Sequence, residues 1–461
     1  MGEEADRLAG SEGSLSKTLL LAILVPLAAA GQAAGATYYV RQTVGDDAHD
    51  GTSPQTAWRH LVKLWTAMHA GDTAYVGPGL YREEIVVMND GTPEGRLVFV
   101  ADTTGQHTGD PPGVVLIAGS DPVDASVFTP HSAAGVYTAP FAERVWGAVE
   151  LDGPQYRYGD AEKERATEHL PPVDVVAKVP STYFYDEAAK MLYLHTSDGR
   201  PPGSHEMELI HRGSGISMVG KHHVTVMGFS FRNMQDAGIN FFKGSGDGIA
   251  INNTSWGSRQ GIRVYGASNV LVYGNTLFRN ENCGVYFAAE SVNGVAIGNT
   301  AYENIKGLRW SSSSANGLAI DNVAFDNRER GIAIEKADGA ILRGNRLVDN
   351  AESQLLLIQT TYSSEGNCFG ARHPGQLVAE FFPYFATDHY RTLAEYQNAK
   401  HEDLHSRAGG CDPLPAKLDV RKLHAESMAY AERARSILSG GAPDLKERAR
   451  AWLDWFRAAL R

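Results

Sequence analysis

The stretch GIRVYGASNVLVYGNTLFRNENC, residues 261–283, is one of six consecutive copies of a single pattern. The copies begin at Gly215 and run to Asn350, and each opens with Gly followed by an aliphatic residue. The other five read GISMVGKHHVTVMGFSFRNMQDA (215–237), GINFFKGSGDGIAINNTSWGSRQ (238–260), GVYFAAESVNGVAIGNTAYENIK (284–306), GLRWSSSSANGLAIDNVAFDNRER (307–330) and GIAIEKADGAILRGNRLVDN (331–350). The spacing is about 23 residues, and repetition at this period is typical of a solenoid.

Apolar and polar residues alternate inside each copy. In the third copy Ile262 and Val264 are followed by Val270 and Val272, a period of two that indicates short strands. A coil of about 23 residues with three short strands and three turns predicts an all-β solenoid, a right-handed parallel β-helix. Each coil of such a solenoid buries its apolar face only by stacking on its neighbours.

Asparagine also recurs at matching places in the copies. The first set contains Asn253, Asn275, Asn299, Asn322 and Asn345, and the second contains Asn280, Asn304, Asn327 and Asn350. Asn tolerates left-handed backbone geometry, and its amide can bond to the same group in the coils above and below. We interpret both sets as structural ladders rather than as ligands.

Length, charge and composition limit the classes of function. The chain has 461 residues, 43% hydrophobic residues, 49 glycines and a net charge of −12. These values fit one turn-rich solenoid with appendages, and the negative charge argues against a nucleic-acid partner. We expect a monomer without a membrane span.

The N-terminus has the features of a secretory signal peptide, residues 1–36. An apolar run of 13 residues, Thr18–Ala30, follows Lys17 and precedes Ala34-Gly35-Ala36. The run is too short to span a membrane, and cleavage after Ala36 would make the protein secreted or periplasmic. The acidic residues before the run are unusual for a signal peptide, and a mis-assigned start codon would explain them.

Four further regions follow the signal peptide. Residues 37–110 are predicted to form an N-terminal cap, with an amphipathic helix over residues 57–69, and the first strands. Residues 111–214 are expected to contain early coils and an aromatic-rich hairpin insertion, with strands at 183–185 and 191–195. Residues 215–368 are the regular coils. Residues 369–461 form a helical C-terminal tail, with helices predicted at 388–400 and 417–438.

The chain contains three cysteines. Cys368 and Cys411 could form a disulfide in an oxidising compartment and tie the tail to the last coil. Cys283 ends one of the copies, and we expect it to be an unpaired, packed thiol.

The mature N-terminus and the repeats together resemble a known family. Tyr38-Tyr39-Val40, the segment DGTSP at 50–54 and the segment GDTAYVGPGLY at 71–81 occur in the order found in secreted right-handed β-helix proteins that act on polysaccharides. Residues 37–368 thus resemble the pectate-lyase-like superfamily. The resemblance implies a carbohydrate substrate, whereas members differ in reaction: lyases, glycosidases, C5-epimerases and tail fibres. The family's Lys/Arg lyase signature and its Asp-Pro-His-Asp epimerase signature are not plainly present.

One face of the strand that opens each copy carries unusual side chains. The second and fourth positions are apolar in all six copies, so the third and fifth should point outward. The third positions place Arg263, Tyr286 and Arg309 in one row, about 4.8 Å from coil to coil. Nearby residues that we expect to bind substrate are Asn240, Phe242, Tyr265, Arg259, Lys306, Arg330 and Lys336.

This row suits an acidic polysaccharide laid along the solenoid axis, because Arg binds carboxylates and sulfates bidentately. Two adjacent cations would favour the phenolate of Tyr286, which could then act as base or acid beside a uronate. Arg263 and Arg309 would stabilise the negative charge of the intermediate. Lys243 is the next candidate base. Elimination would make the protein a lyase, and re-protonation from the other side would make it a C5-epimerase.

Two alternatives remain open at this point. Glu335 with Glu329 or Asp326 could form the carboxylate pair of a glycoside hydrolase. The face could also bind glycan without catalysis. The residues require no cofactor, although Asp46, Asp47 and Asp50 could bind Ca²⁺ as readily as they could form turns.

Overall fold

The computed structural model describes residues 35–151, 158–161, 170–371, 377–382 and 388–423. Three sheets of ten strands each enclose a continuous apolar core, so the predicted all-β parallel solenoid is confirmed. Only the last two residues of the predicted signal peptide fall within these ranges, and the part of the tail beyond residue 423 lies outside them.

We name the three sheets opening, second and third, after the order of their strands within a coil. The opening sheet contains Ile85–Val87, Ser214–Val219, Ala237–Phe242, Gln260–Tyr265, Cys283–Ala288, Lys306–Ser311, Arg330–Glu335, Ser353–Ile358, Leu377–Phe382 and Asp388–Tyr390. The second contains Thr37–Val40, Thr73–Val76, Leu97–Ala101, Val224–Met227, Ile249–Ile251, Leu271–Tyr273, Val295–Ile297, Leu318–Ile320, Ala340–Arg343 and Tyr362–Glu365. The third contains Gly79–Tyr81, Val115–Ala118, Ser230–Arg232, Thr254–Trp256, Thr276–Phe278, Thr300–Tyr302, Val323–Phe325, Arg346–Val348, Cys368–Gly370 and Arg407–Ala408.

The coils stack in register. Arg263 pairs with Tyr286, and Tyr286 pairs with Arg309, in parallel ladders of the opening sheet. Parallel strands lie about 4.8 Å apart, so equivalent side chains of successive coils lie side by side. Among the described strands of these three sheets, only Asp388–Tyr390, at the end of the opening sheet, pairs antiparallel to its neighbour.

Asparagine ladders connect the coils at two of their turns, as predicted. The backbone N–H and the Nδ2 of Asn275 donate to Oδ1 of Asn299, at 3.0 and 2.9 Å. Asn299 donates in the same way to Asn322, and the second ladder repeats the arrangement from Asn280 to Asn304. These amides are fully buried, and each ladder satisfies polar groups that would otherwise be costly inside the core.

The glycine that opens each copy is required by the close approach of two coils. A Cβ on Gly284 would stand 2.7 Å from the carbonyl oxygen of Gly307 and 3.1 Å from Cβ of Ala301. A Cβ on Gly261 would likewise stand 2.6 Å from the carbonyl oxygen of Gly284. The position therefore needs the absence of a side chain rather than an unusual backbone angle.

Side-chain volumes also match inside the core. Where the opening strand carries the large Phe287, the residue facing it is Gly294, whose Cβ would lie 2.3 Å from the ring. In the preceding coil the opening strand carries Val264, and the position equivalent to Gly294 is Val270. A large residue on the opening strand thus faces a glycine, which keeps the interior at close-packed density.

An insertion interrupts the solenoid between the third sheet and the opening sheet. One of its sheets contains Ser120–Pro122, Ala148–Glu150 and Met207–Ile210; the other contains Thr129–Pro130, Val136–Pro140, Gly159–Asp160, Thr182–Asp186 and Met191–His195. Thr182–Asp186 and Met191–His195 form the predicted antiparallel hairpin. Tyr183 and Tyr185 are buried in the insertion's own core, so these rings pack rather than face a ligand.

A buried carboxylate ties the insertion to the solenoid. Glu208 accepts hydrogen bonds from Nη2 of Arg82 and Nη2 of Arg232, both at 2.8 Å, and from Oγ of Ser120 at 2.6 Å. Burial raises the pKa of Glu208, but Arg232 and Arg82 lower that pKa by more, so the net pKa lies below its ordinary value. The carboxylate of Glu208 therefore stays ionised where the insertion meets the solenoid.

The predicted N-terminal helix is shorter than expected. Residues 57–69 contain only the 3₁₀ turn Leu61–Lys63 and the α-helix Leu64–Ala67. Trp58 and Met68 still reach the solenoid core. That the segment covers an open end of the solenoid stays a prediction.

The tail follows the prediction in part. The segment 388–400 begins with a strand, and its helix spans only Leu393–Lys400. Another α-helix in the described part of the chain, Pro172–Lys178, belongs to the insertion, which also contains the 3₁₀ turns Ala125–Val127 and Pro202–Ser204. No helix in the described part of the chain is long and apolar enough to cross a membrane.

The predicted disulfide between Cys368 and Cys411 is present. The residues that follow it lie on the outer face of the third sheet, where the backbone N–H of Leu418 donates to Oη of Tyr302 at 2.8 Å. Nζ of Lys417 lies 2.8 Å from a carboxylate oxygen of Glu303. The disulfide thus begins a stretch of tail that packs along the solenoid.

Gly284→Ala is expected to lower the free energy of unfolding by about 1–3 kcal/mol, because overpacking must push the next coil away. Gly213→Ala is the control, since a Cβ there meets no atom within 4 Å. Urea unfolding measures both. Equal stability of the two variants would show that the opening glycine is not needed for coil spacing.

Candidate functional site

The predicted row Arg263–Tyr286–Arg309 is on the outer face of the opening sheet. The three side chains are half-buried, while their neighbours Ile262, Val285 and Leu308 point into the core. Backbone pairing places them in adjacent coils, as the repeat predicts. The register therefore brings two guanidinium groups and a phenol to one surface.

Arg309 connects the phenol to a carboxylate. Its guanidinium carbon lies 5.1 Å from the ring centroid of Tyr286, and its Nε donates to Glu335 at 3.1 Å. Burial lowers the pKa of Arg309, but Glu335 raises that pKa by more, and the net pKa lies above the ordinary value. Oγ of Ser311 donates to Oη of Tyr286 at 3.1 Å. Tyr286, Arg309, Ser311 and Glu335 thus form one polar cluster.

Arg263 has different contacts. Its guanidinium pairs with Asp236 and lies over the rings of Tyr265 and Phe242, at 4.4 and 5.0 Å from their centroids. The two rings stack on each other with centroids 5.3 Å apart. The predicted sandwich of Tyr286 between two guanidiniums therefore holds for the backbone register, whereas the side chain of Arg263 is turned toward Phe242 and Tyr265.

An apolar column continues from these rings toward the N-terminal coils. The fifth positions of the opening strands put Val219 beside Phe242, and Met88 follows one residue beyond the strand Ile85–Val87. Val219 is 55% exposed and Met88 is 49% exposed. Sequence reasoning did not single out either residue, because Met88 lies outside the six copies and Val219 is unremarkable by composition.

Several predicted substrate-binding cations are already paired. Nζ of Lys306 lies 2.7 Å from Glu329. Arg330 pairs with Glu329, Glu352 and Glu380, at 2.8, 2.5 and 3.1 Å. At Lys306 and Arg330 the expected basic patch is therefore charge-balanced. Glu329 lies 23 residues from Lys306 and is adjacent to Arg330, whereas Glu380 lies 50 residues from Arg330.

The other predicted binding residues differ in exposure. Asn240 is only 7% exposed, and its Nδ2 lies 3.5 Å from Oγ of Ser214, so its amide faces protein rather than solvent. Arg259, Lys336 and Lys243 are exposed. Nζ of Lys243 lies 5.3 Å from the ring centroid of Phe242.

The acids predicted for hydrolysis lie apart along the backbone. Glu329 and Glu335 flank the same extended strand, so about 20 Å separates them, against the roughly 5–10 Å that glycoside hydrolysis needs. Asp326 is instead 2.6 Å from Nζ of Lys417 in the tail. Both acids are held by lysines, and a carboxylate pair around Glu335 stays a prediction.

Metal ligation receives little support from side-chain positions. Within the described ranges, no three His, Cys, Asp or Glu side chains are grouped as metal ligands. Asp46 and Asp50 accept hydrogen bonds from the N–H groups of Ala48 and Thr52, two residues on in each case. Asp47 accepts from His60 at 2.6 Å. These acids serve turns, and binding of Ca²⁺ there stays an untested expectation.

Comparison with known proteins agrees with the fold. A family described as "Periplasmic copper-binding protein (NosD)" matches residues 196–370, the region of the regular coils. The chain contains no grouping of ligands for copper in its described residues, so we derive no copper chemistry. No curated protein matches the sequence.

Solved structures with the same fold include "The complex structure of XylC with xylose", with a TM-score of 0.51 and 16% identity, over 75% of this chain and 71% of that one. Similar structures also include the GH136 lacto-N-biosidase from Eubacterium ramulus (TM-score 0.45, 14% identity, 74% and 62% covered). A third is the pectate lyase Pel9A (TM-score 0.44, 11% identity, 76% and 75% covered). The predicted resemblance to right-handed β-helix proteins of the pectate-lyase-like superfamily is thus confirmed for the fold.

Cys283 is a buried free thiol, as expected, and burial raises its pKa to about 12. We therefore predict no reaction with a thiol reagent in the native protein at neutral pH, because the thiolate is the reactive form. Unfolding in denaturant without reductant should release one reactive thiol per chain, since the other two cysteines are bridged. Rapid labelling of the native protein would show that Cys283 is accessible and ionised.

Proposed function

We propose that this protein is a carbohydrate-active β-helix protein that binds an acidic polysaccharide along the opening sheet and cleaves it by β-elimination. The observation that carries the proposal is the cluster around Tyr286, an outward phenol that contacts Arg309 and Ser311. The fold shared with carbohydrate-active proteins supports the substrate class. The signal-like N-terminus supports action in the periplasm or outside the cell.

The track for the polymer is the apolar column and the row beside it. Phe242 and Tyr265 present stacked, half-exposed rings, which suit the apolar faces of sugar units. Arg263 and Arg309 hold positive charge in the neighbouring row, at the outward position two residues earlier in each opening strand. Because both columns run along the solenoid axis, a polymer lying on them meets an equivalent position in every coil.

The arginines are held by protein carboxylates in the free protein. A uronate bound here replaces or shares the partner of Arg309, since one guanidinium has five N–H donors and can serve two acceptors. Glu335 then keeps Arg309 oriented before substrate arrives. This preorganisation is what a site that stabilises developing negative charge requires.

The chemistry assigns proton transfer to Tyr286. As the base, Oη of Tyr286 takes the proton α to the uronate carboxylate, and the electron pair of the broken C–H bond forms a double bond to the neighbouring carbon. The bond from that carbon to the glycosidic oxygen breaks, and the leaving oxygen takes up the proton that Tyr286 removed. Arg309 stabilises the charge on the carboxylate, and Ser311 positions the phenol. Lys243 is the alternative base. No metal or cofactor enters these steps, and the protein acts as a monomer.

Tyr286→Phe should reduce formation of the unsaturated, ultraviolet-absorbing product by about 10²–10⁴-fold, the usual contribution of acid–base catalysis. Binding of the acidic polymer should persist. Tyr273→Phe is the control, because Tyr273 is an outward, half-buried tyrosine on the second sheet. The absorbance assay is run on alginate, polygalacturonate and glycosaminoglycans.

Other outcomes identify the competing functions. Full activity of Tyr286→Phe would remove the phenol from the reaction. If Glu335→Gln abolishes release of reducing ends and no unsaturated product forms, the protein is a hydrolase. Inversion at C5 without cleavage would make it an epimerase. Binding without any product would leave a glycan-binding protein.

A further inference from the structure

A depression adjoins the polymer track at the turns between the opening and second sheets. It has a volume of about 610 Å³ and is open to solvent. Its lining contains Lys243, Gly244, Tyr265, Gly266, Ala289, Glu290, Ser312 and Ser313. Tyr265 belongs to both the depression and the aromatic pair of the track, so the two are continuous.

The depression includes a turn that is one residue shorter than the turns of the coils on either side. In three of the four coils that line the depression, two residues separate the end of the opening strand from the buried serine that follows. These pairs are Lys243-Gly244, Ala289-Glu290 and Ser312-Ser313. In the coil between the first and second of these pairs, Gly266 stands alone between Tyr265 and Ala267. The missing residue and the missing side chain leave a gap in the wall, with Gly266 as its floor.

The rim is built from backbone conformations that side chains rarely adopt. Ala289 and Glu290 have φ of 53° and 63°, and Ser312 and Ser313 have φ of 55° and 63°. Gly220 and Gly244 provide positive φ in the equivalent turns of earlier coils. Residues with side chains are strained in this region, as they are at other turns of the solenoid. Where these turns carry residues other than glycine, Glu290 puts a carboxylate at the depression, and Ser312 and Ser313 put two hydroxyls there.

Opposite charges face each other across the gap. Lys243 is exposed on one side, and Glu290 is exposed two coils further along, about 10 Å away at the spacing of parallel strands. The depression therefore offers one cation, one anion and serine hydroxyls around an aromatic wall. A sugar unit with an anionic substituent and several free hydroxyls has the complementary chemistry.

We propose that this depression is a subsite for one acidic sugar unit, in which Lys243 binds the anionic substituent and Glu290 accepts hydrogen bonds from hydroxyls. The proposal rests on the proposed function, since it assigns one unit of the same polymer. It makes Lys243 a specificity-determining residue, which is a different role from that of an alternative base. Glu290 was absent from the sequence-based candidates because its position looks like an ordinary turn.

The test measures binding by calorimetry with an acidic oligosaccharide and with its carboxyl-reduced, neutral counterpart. The oligosaccharide comes from the polymer that the wild-type protein binds in the panel above. Lys243→Met should weaken binding of the acidic form at least tenfold and leave binding of the neutral form unchanged. Lys190→Met is the control for loss of one exposed charge, since Lys190 lies in the hairpin of the insertion.

A second pair of variants tests the strained rim. Glu290→Gly should raise the melting temperature, because glycine adopts positive φ without strain, yet it should weaken binding of both oligosaccharides. Lys190→Gly relieves a φ of 53° far from the depression and should raise the melting temperature with binding unchanged.

The outcomes separate this proposal from the one it rests on. If the wild-type protein binds no acidic oligosaccharide, the proposed function fails and the subsite fails with it. If the wild-type protein binds but Lys243→Met binds equally well, or loses both forms equally, the subsite alone is overturned. Unchanged binding by Glu290→Gly would likewise remove Glu290 from the subsite.

Discussion

The structure depends on the stacking of each coil on the next in strict register. Backbone ladders on three sides supply the register, and the buried amides of Asn275, Asn299 and their equivalents close it at the turns. An unpaired amide in the core would cost free energy, so slippage by one residue is strongly disfavoured. Stacking requires bare glycine where two coils come closest, as at Gly284. Every property of the outer face follows from this registry.

The registry turns a linear sequence into columns, and the columns carry opposite charges in balance. Arg263 is matched by Asp236, and Arg309 is matched by Glu335. A charge-balanced surface does not attract anions through net charge. This agrees with the net charge of −12 of the whole chain. The surface holds each guanidinium in place instead, and under the proposed function an incoming carboxylate would find oriented donors. Specificity then comes from geometry and aromatic contact more than from long-range attraction.

Features that depend on the repeat period can be predicted from the sequence. Contacts that depend on the direction of side chains across turns cannot. The solenoid, the asparagine ladders, the disulfide and the row of Arg263, Tyr286 and Arg309 follow from a 23-residue repeat and strand alternation. The partners of the arginines were missed, since Asp236 meets Arg263 only through a turn of the preceding coil. Glu290 was missed because its backbone conformation and the one-residue gap at Gly266 become visible only when coils are superimposed.

The central claim is that an acidic polymer lies parallel to the solenoid axis over the opening sheet. A crystal structure of the protein with a bound acidic oligosaccharide tests it most directly. The account predicts sugar units stacked on Tyr265 and Phe242, with one carboxylate on Arg309 and the adjacent carbon facing Oη of Tyr286. An oligosaccharide bound to the second sheet, the third sheet or the insertion, with the Tyr286 cluster unoccupied, would contradict the account.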